Sequence, residues 1–225
     1  MEPLAFISTL QITDSFFPIG AFAYSDGLET ASAGGLIHDA ASLGGWLEHF
    51  LENVFVPCEG LALVKCMLAL KKGDIGEIVR IDEELTAIRP AGEVRAASIA
   101  VGKRLLSIHA AVYTDEQCSE VVRALPHANA ATAFALVFSE RGVGERDAVL
   151  AFGYNRLTGI ISAGLRLISM GQQQGQTLLT KNIQRLPDAG ERILRMTDEP
   201  LRSFGPLLDI QQMNHQYVYS RLFRS

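Results

Sequence analysis

Apolar residues return at steps of three and four along almost the whole chain, and no stretch alternates like a half-buried strand. That pattern predicts helices packed on helices. Leu43, Trp46, Leu47, Phe50, Leu51, Val54 and Phe55 fall on one helix face with Glu48, His49, Glu52 and Asn53 opposite, and Pro57 is read as the close of that helix. Residues 61–70 are apolar almost all round, which fits a central buried helix. It would end at Lys71, Lys72 and Gly73, where cations meet the negative helix end and glycine admits a left-handed residue. Asp74 and Glu77 have the spacing of a capping box before the stripe Ile78, Ile81, Leu85 and Ile88, which stops at Pro90. A long alanine-rich helix follows through Val94, Ala97, Val101, Leu105, Ile108 and Val112. Thr114 with Gln117 reads as another capping box, and further helices are expected over about 129–139, 145–170 and 175–186. The expected fold is all-α: a single compact multi-helix domain over residues 1–225 with a buried central helix.

Twenty glycines are many for such a fold, since each one inside a helix costs about 1 kcal/mol relative to alanine. Gly153, Gly159 and Gly164 in the long late helix therefore predict close helix crossings. With 225 residues and 48% hydrophobic content, the chain is long enough for one substantial core. A net charge of −5 argues against a general nucleic-acid binder and turns attention to protein partners. Met1-Glu2-Pro3 has no basic leader region, so a cytoplasmic location is expected. The apolar run 157–170 is shorter than a bilayer span and contains Arg166, which favours burial in protein over a membrane.

Chemistry-bearing residues are sparse. Cys58, Cys66 and Cys118 have neither a paired framework nor a metal-binding spacing and read as reduced, buried thiols. His38, His49, His109, His127 and His215 are scattered, so no metal site and no cofactor is expected. Ser25, Asp26 and His49 supply the residue types of a nucleophilic triad, but no strained GxSxG turn surrounds Ser25, and no phosphate-cradling glycine loop occurs. The chain reads as a non-enzyme.

Order replaces periodicity in Phe16-Phe17-Pro18-Ile19-Gly20-Ala21-Phe22-Ala23-Tyr24-Ser25-Asp26-Gly27-Leu28-Glu29. Pro18 fixes its own φ, Gly20 permits a turn, and Ser25 or Asp26 is placed to cap a helix with Glu29 near its positive end. The C-terminus is equally distinctive. After Asp209 there is no acidic residue, while Tyr217, Tyr219, Phe223, Arg221 and Arg224 combine aromatic area with planar cations, the types that dominate interface hot spots.

Residues 17–29 closely resemble the N-terminal signature of the urease accessory protein F family, and residues 215–225 resemble its C-terminal tail. Arg166-Leu167-Ile168-Ser169-Met170-Gly171-Gln172 with Gly175-Gln176 is similar to its internal motif, with Ser169 where the family commonly has proline. The resemblance implies a non-enzymatic maturation factor for a nickel enzyme. Such a factor dimerises and bridges the accessory protein D/H to the GTPase accessory protein G on the urease apoprotein. By matching positions, Glu29 and Arg166, with Tyr24 and Ser25, would face the GTPase. His215, Tyr217, Tyr219, Arg221, Leu222, Phe223 and Arg224, within a tail over 214–225, would engage D/H as a second, separate surface. A GTPase-activating or GTPase-regulating role centred on Arg166 is the alternative reading, and a small helical hydrolase a remote one.

Overall fold

The computed structural model describes residues 1–113 and 119–224, and among these there is no strand. Helices run over Pro3–Thr13 (α1), Leu28–Ala33 (α2), Ala40–Phe50 (α3), Leu61–Lys72 (α4), Ile75–Ile88 (α5) and Gly92–Val112 (α6). They continue with Ser119–Ala124 (α7), Ala130–Glu140 (α8), Glu145–Leu167 (α9), Gln172–Ile183 (α10), Leu186–Arg195 (α11) and Pro206–Asn214 (α12). The all-α expectation holds. The capping box expected at Thr114 and Gln117, together with Cys118, lies outside the described residues.

Two helices share the centre. The expected one, α4, is buried along most of its length and packs on α5, α8, α9 and α11. In α8 every residue from Ala131 to Phe138 is buried, so that helix lies as deep as α4. The long α9 crosses α1, α2, α3, α4, α8, α10 and α11. Its glycines largely explain how: a methyl added at Gly153 would meet Leu186 at 2.7 Å and Phe55 at 3.0 Å, and one at Gly164 would meet Leu43 at 2.6 Å. Gly159 differs, with nothing within 4 Å of the place a Cβ would take, so close crossing does not account for it. α9 ends at Leu167, three residues before the expected Met170, because Ile168 is already extended.

Pro57 does not close the helix it was expected to close. Residues Leu51–Gly60 form a wider π-helical segment with Pro57 inside it, and helical structure runs unbroken from Ala40 to Lys72. Proline has no N–H to give to the helical ladder. Phe204 N–H donates to the Asn53 carbonyl at 3.2 Å, and Arg202 N–H donates to the Pro57 carbonyl at 3.0 Å. The proline therefore does not break the helix but gives the chain leading to α12 a place to attach. Among the described residues the 33-residue run, not 157–170, is the helix long and apolar enough to cross a membrane. With 78% of its most apolar window buried, it behaves as the core helix of a soluble protein does.

The start of α8 is fixed by one carboxylate. Asp82, fully buried on α5, accepts N–H bonds from His127 at 3.0 Å, Ala128 at 2.8 Å and Asn129 at 2.7 Å. The Asn129 amide returns a bond to the Asp82 carbonyl at 2.9 Å, and Ala128 takes a positive φ of 59° to complete the turn. α6 comes close enough at Gly102 that an added methyl would sit 2.0 Å from the Ala128 carbonyl oxygen. Asp82→Asn would place an amide donor among these N–H donors. It is expected to cost about 2 kcal/mol of stability, seen as a melting temperature lower by roughly 4–8 °C; an unchanged melting curve would refute the anchor.

Candidate partner-docking site

The N-terminal motif is anchored by the buried side chains of Phe17 and Ile19, while Phe16 points outward and is 91% exposed. Gly20 takes φ 76°, a left-handed turn into the short helical turn Ala21–Ala23. A second reversal uses Asp26 at φ 52° and Gly27 at φ 84°, two consecutive left-handed residues immediately before α2. The N-cap of α2 is thus Gly27, and neither Ser25 nor Asp26 caps in the expected manner. Buried Ser25 still accepts from the Glu29 N–H, at 3.4 Å, and Asp26 turns its carboxylate inward to Arg156 at 2.6 Å.

This turn buries Glu29 in the first turn of α2, where the tail meets it. Leu222 N–H and Phe223 N–H both donate to its carboxylate, the second at 3.2 Å. His215, fully buried, places Nε2 2.8 Å from Glu29 Oε2 and Nδ1 2.9 Å from Glu93 Oε2 on α6. The imidazole thus has a carboxylate oxygen at each ring nitrogen and bridges α2 to α6. Phe223 is buried beneath Arg166, whose guanidinium lies 4.2 Å from the ring centroid. Arg166 also donates to the Phe22 carbonyl at 2.7 Å, and Arg224 N–H donates to the Ala23 carbonyl at 2.8 Å.

The residues read from sequence as two separate surfaces therefore form one locus. Glu29 and Arg166 hold the tail, with Ser25 behind Glu29 and Tyr24 half-buried against the core. The tail divides in turn. His215 and Phe223 face inward, while Tyr217, Tyr219 and Leu222 are exposed beside the outward apolar side of α12, formed by Leu207, Ile210 and Met213. Arg221 is held loosely, 3.8 Å from Glu93, and Arg224 is exposed.

Beneath the locus lies an ion network. Arg156 joins Asp26 to Glu59 at 2.8 Å, and Arg89 reaches Glu59 at 2.7 Å. Burial alone would lower the pKa of Arg156, but Asp26 and Glu59 outweigh it and the net shift is upward. Glu93, Glu59, Arg89 and Arg156 were not singled out from the sequence. A signal existed for two of them: Glu59 stands inside an apolar run, and Arg156 keeps helical phase with buried Phe152 and Ile160. Asp82 likewise occupies the buried stripe of α5 between Ile81 and Leu85.

The residue types of the triad read from sequence have other partners. Asp26 is committed to Arg156, and His49 Nδ1 lies 3.2 Å from the Asn53 amide. Burial pushes the Cys58 thiol up to about 12 and raises Cys66 as well, leaving both protonated and unreactive. Among the described residues no group of three or more His, Cys, Asp or Glu side chains is placed to hold a metal ion.

Residues 37–182 match the UreF family model. Over 217 residues, 96% of each chain, the sequence is 36% identical to the urease accessory protein UreF of Microcystis aeruginosa. It is also 36% identical over 220 residues to that of an Arthrobacter species, covering 96% of this chain and 95% of the relative. With the protein of the same name from Nostoc it shares 30% identity over 227 residues, 98% of this chain and 96% of the other.

Glu29→Gln replaces one tail-facing acceptor with a donor and should release the strap without melting the bundle. Amide exchange at Leu222 and Phe223 is expected to rise at least tenfold, the equivalent of about 1.4 kcal/mol of local protection. Unchanged exchange at those two amides would show that Glu29 does not hold the tail.

Proposed function

The chain belongs to the UreF family of urease accessory proteins, and from that premise we propose that it is a non-catalytic maturation factor. In this reading it bridges accessory protein D/H and the GTPase accessory protein G on the urease apoprotein, and nickel incorporation is the output of the assembled complex. The convergence of the three family-like motifs carries the reading: the N-terminal turn supplies Glu29, the internal motif supplies Arg166, and both grip the tail. What remains outward is aromatic and cationic, a composition suited to protein recognition.

The D/H protein takes the outward side of the tail, with Tyr217, Tyr219, Leu222, Arg221 and Arg224, while His215 and Phe223 fix its inner side. The GTPase takes the neighbouring edge around Tyr24, Phe22 and Arg166. Because Arg166 touches both Phe22 and Phe223, ordering the tail and presenting that edge are physically linked, and capture of one partner favours capture of the other. The protein acts in the cytoplasm as a homodimer, and a second copy would cover the exposed apolar side of α1 formed by Leu4, Phe6, Ile7 and Leu10.

A scaffold is favoured over a GTPase-activating protein by the engagement of Arg166. An arginine finger must project freely toward the transferring phosphoryl group, and this guanidinium is bonded to a carbonyl and stacked on a buried ring. Stimulation of GTP turnover by the isolated protein, lost in Arg166→Ala, would reverse that preference.

Deleting residues 217–225 is expected to abolish co-purification with D/H while the circular dichroism spectrum stays helical. An undiminished complex would reduce the tail to a self-packed strap. Arg166→Ala should keep the fold and weaken capture of both D/H and G, whereas a loss confined to G would restore two independent surfaces.

A further inference from the structure

Arg156 lies outside all three motifs, and its partners are Asp26, Glu59 and the Phe50 ring, none of them in the tail. The partner that matters is Asp26. It holds a positive φ, which a residue with a side chain adopts reluctantly, and it does so next to a glycine that does the same. That pair sets two things at once. It starts α2, which places Glu29 one helical turn later against His215, Leu222 and Phe223. It also forms the seat of α12: an added methyl on Gly27 would lie 2.9 Å from the Gln212 side chain, and Gln212 donates to the Asp26 carbonyl at 3.4 Å. α12 leads directly into His215.

We propose that Arg156 is the positioning residue of the tail site, clamping the Asp26–Gly27 reversal so that Glu29 and Gln212 stand where the tail can dock. Its other side is fixed by Glu59, which the π-helical segment carries and Arg89 also holds, so the clamp ties the motif to the core. Cavities of about 60 Å³ and about 20 Å³ flank the guanidinium, and Asp26, Glu59 and Arg89 line both. Each has room for a water, and Asp26, Glu59 and Arg89 supply polar partners for one when the guanidinium is removed. The bundle should therefore survive a change at Arg156 that the tail does not. The role deepens the docking-surface reading above, on which its importance for partner capture rests.

The test compares Arg156→Gln, Arg156→Lys and Asp26→Asn with Asp82→Asn in the full chain, by hydrogen exchange of residues 218–224 and by urea unfolding. Asp26→Asn leaves Arg156 paired with Glu59, so it reports even where Arg156→Gln does not fold. Arg156→Gln and Asp26→Asn are expected to speed tail exchange at least tenfold, and Arg156→Lys to recover part of the protection. Asp82→Asn, although destabilised, should keep tail exchange as in the unsubstituted chain. Tail exchange unaltered by Arg156→Gln and Asp26→Asn, or equally fast in Asp82→Asn, would overturn the assignment. Exchange reads the clamp without any partner present. Full D/H capture by an Asp26→Asn chain whose tail is loosened would count against the functional reading and leave the clamp standing.

Discussion

A carboxylate taken into a helical core is tolerable only when donors surround it, and that requirement organises this protein more than any other single constraint. Asp82 satisfies it with three backbone N–H groups and so fixes where α8 begins. Glu59 satisfies it with Arg89 and Arg156 and ties α5 and α9 to the π-helical segment. Glu29 satisfies it with an imidazole and two tail amides, and so decides where the chain ends. Apolar packing alone would allow these helices to slide by a turn. Each carboxylate has one set of donors and permits one register.

The same logic gives the proposed docking site an unusual construction. Its outward groups are presented by a tail that makes no helix after Tyr217 among the described residues, so their placement depends on what grips the inner side. That grip is polar at Glu29 and His215, and aromatic where Phe223 lies under Arg166. A strap held by a few bonds has low local stability compared with the core, which suits the partner-meeting role proposed for it. In the proposed reading the strap carries partner contacts, and the geometry shows what grips it. Sites on either side of Arg166 share a residue and so cannot be ordered independently.

Much of the helix pattern was legible because a helix in a bundle must repeat its apolar residues with the period of its own turn. The stripes from Leu43 to Phe55 and from Ile78 to Ile88, the glycine stop at Gly73 and the cap at Asp74 all follow from local geometry. Pro57 misled for an equally local reason. A missing N–H normally ends a helix, but here the helix widens to the π form and carries the chain past it. The N-terminal cap misled similarly, since Asp26 finds a stronger partner in Arg156 than in its own backbone.

By itself the sequence determined the helical class, the buried thiols of Cys58 and Cys66, and the three motifs through which the family is recognised. Local period and residue order are written into neighbouring positions, and these properties need nothing more. Only the tertiary structure decided that Glu29 and Arg166 both contact the tail, that His215 bridges Glu29 and Glu93, and that Arg156 joins Asp26 to Glu59. Those pairings join residues far apart in the chain, 130 positions for Arg156 with Asp26 and 186 for His215 with Glu29. Which carboxylate a given cation reaches depends on how helices cross, and that is settled by the packing of the whole chain.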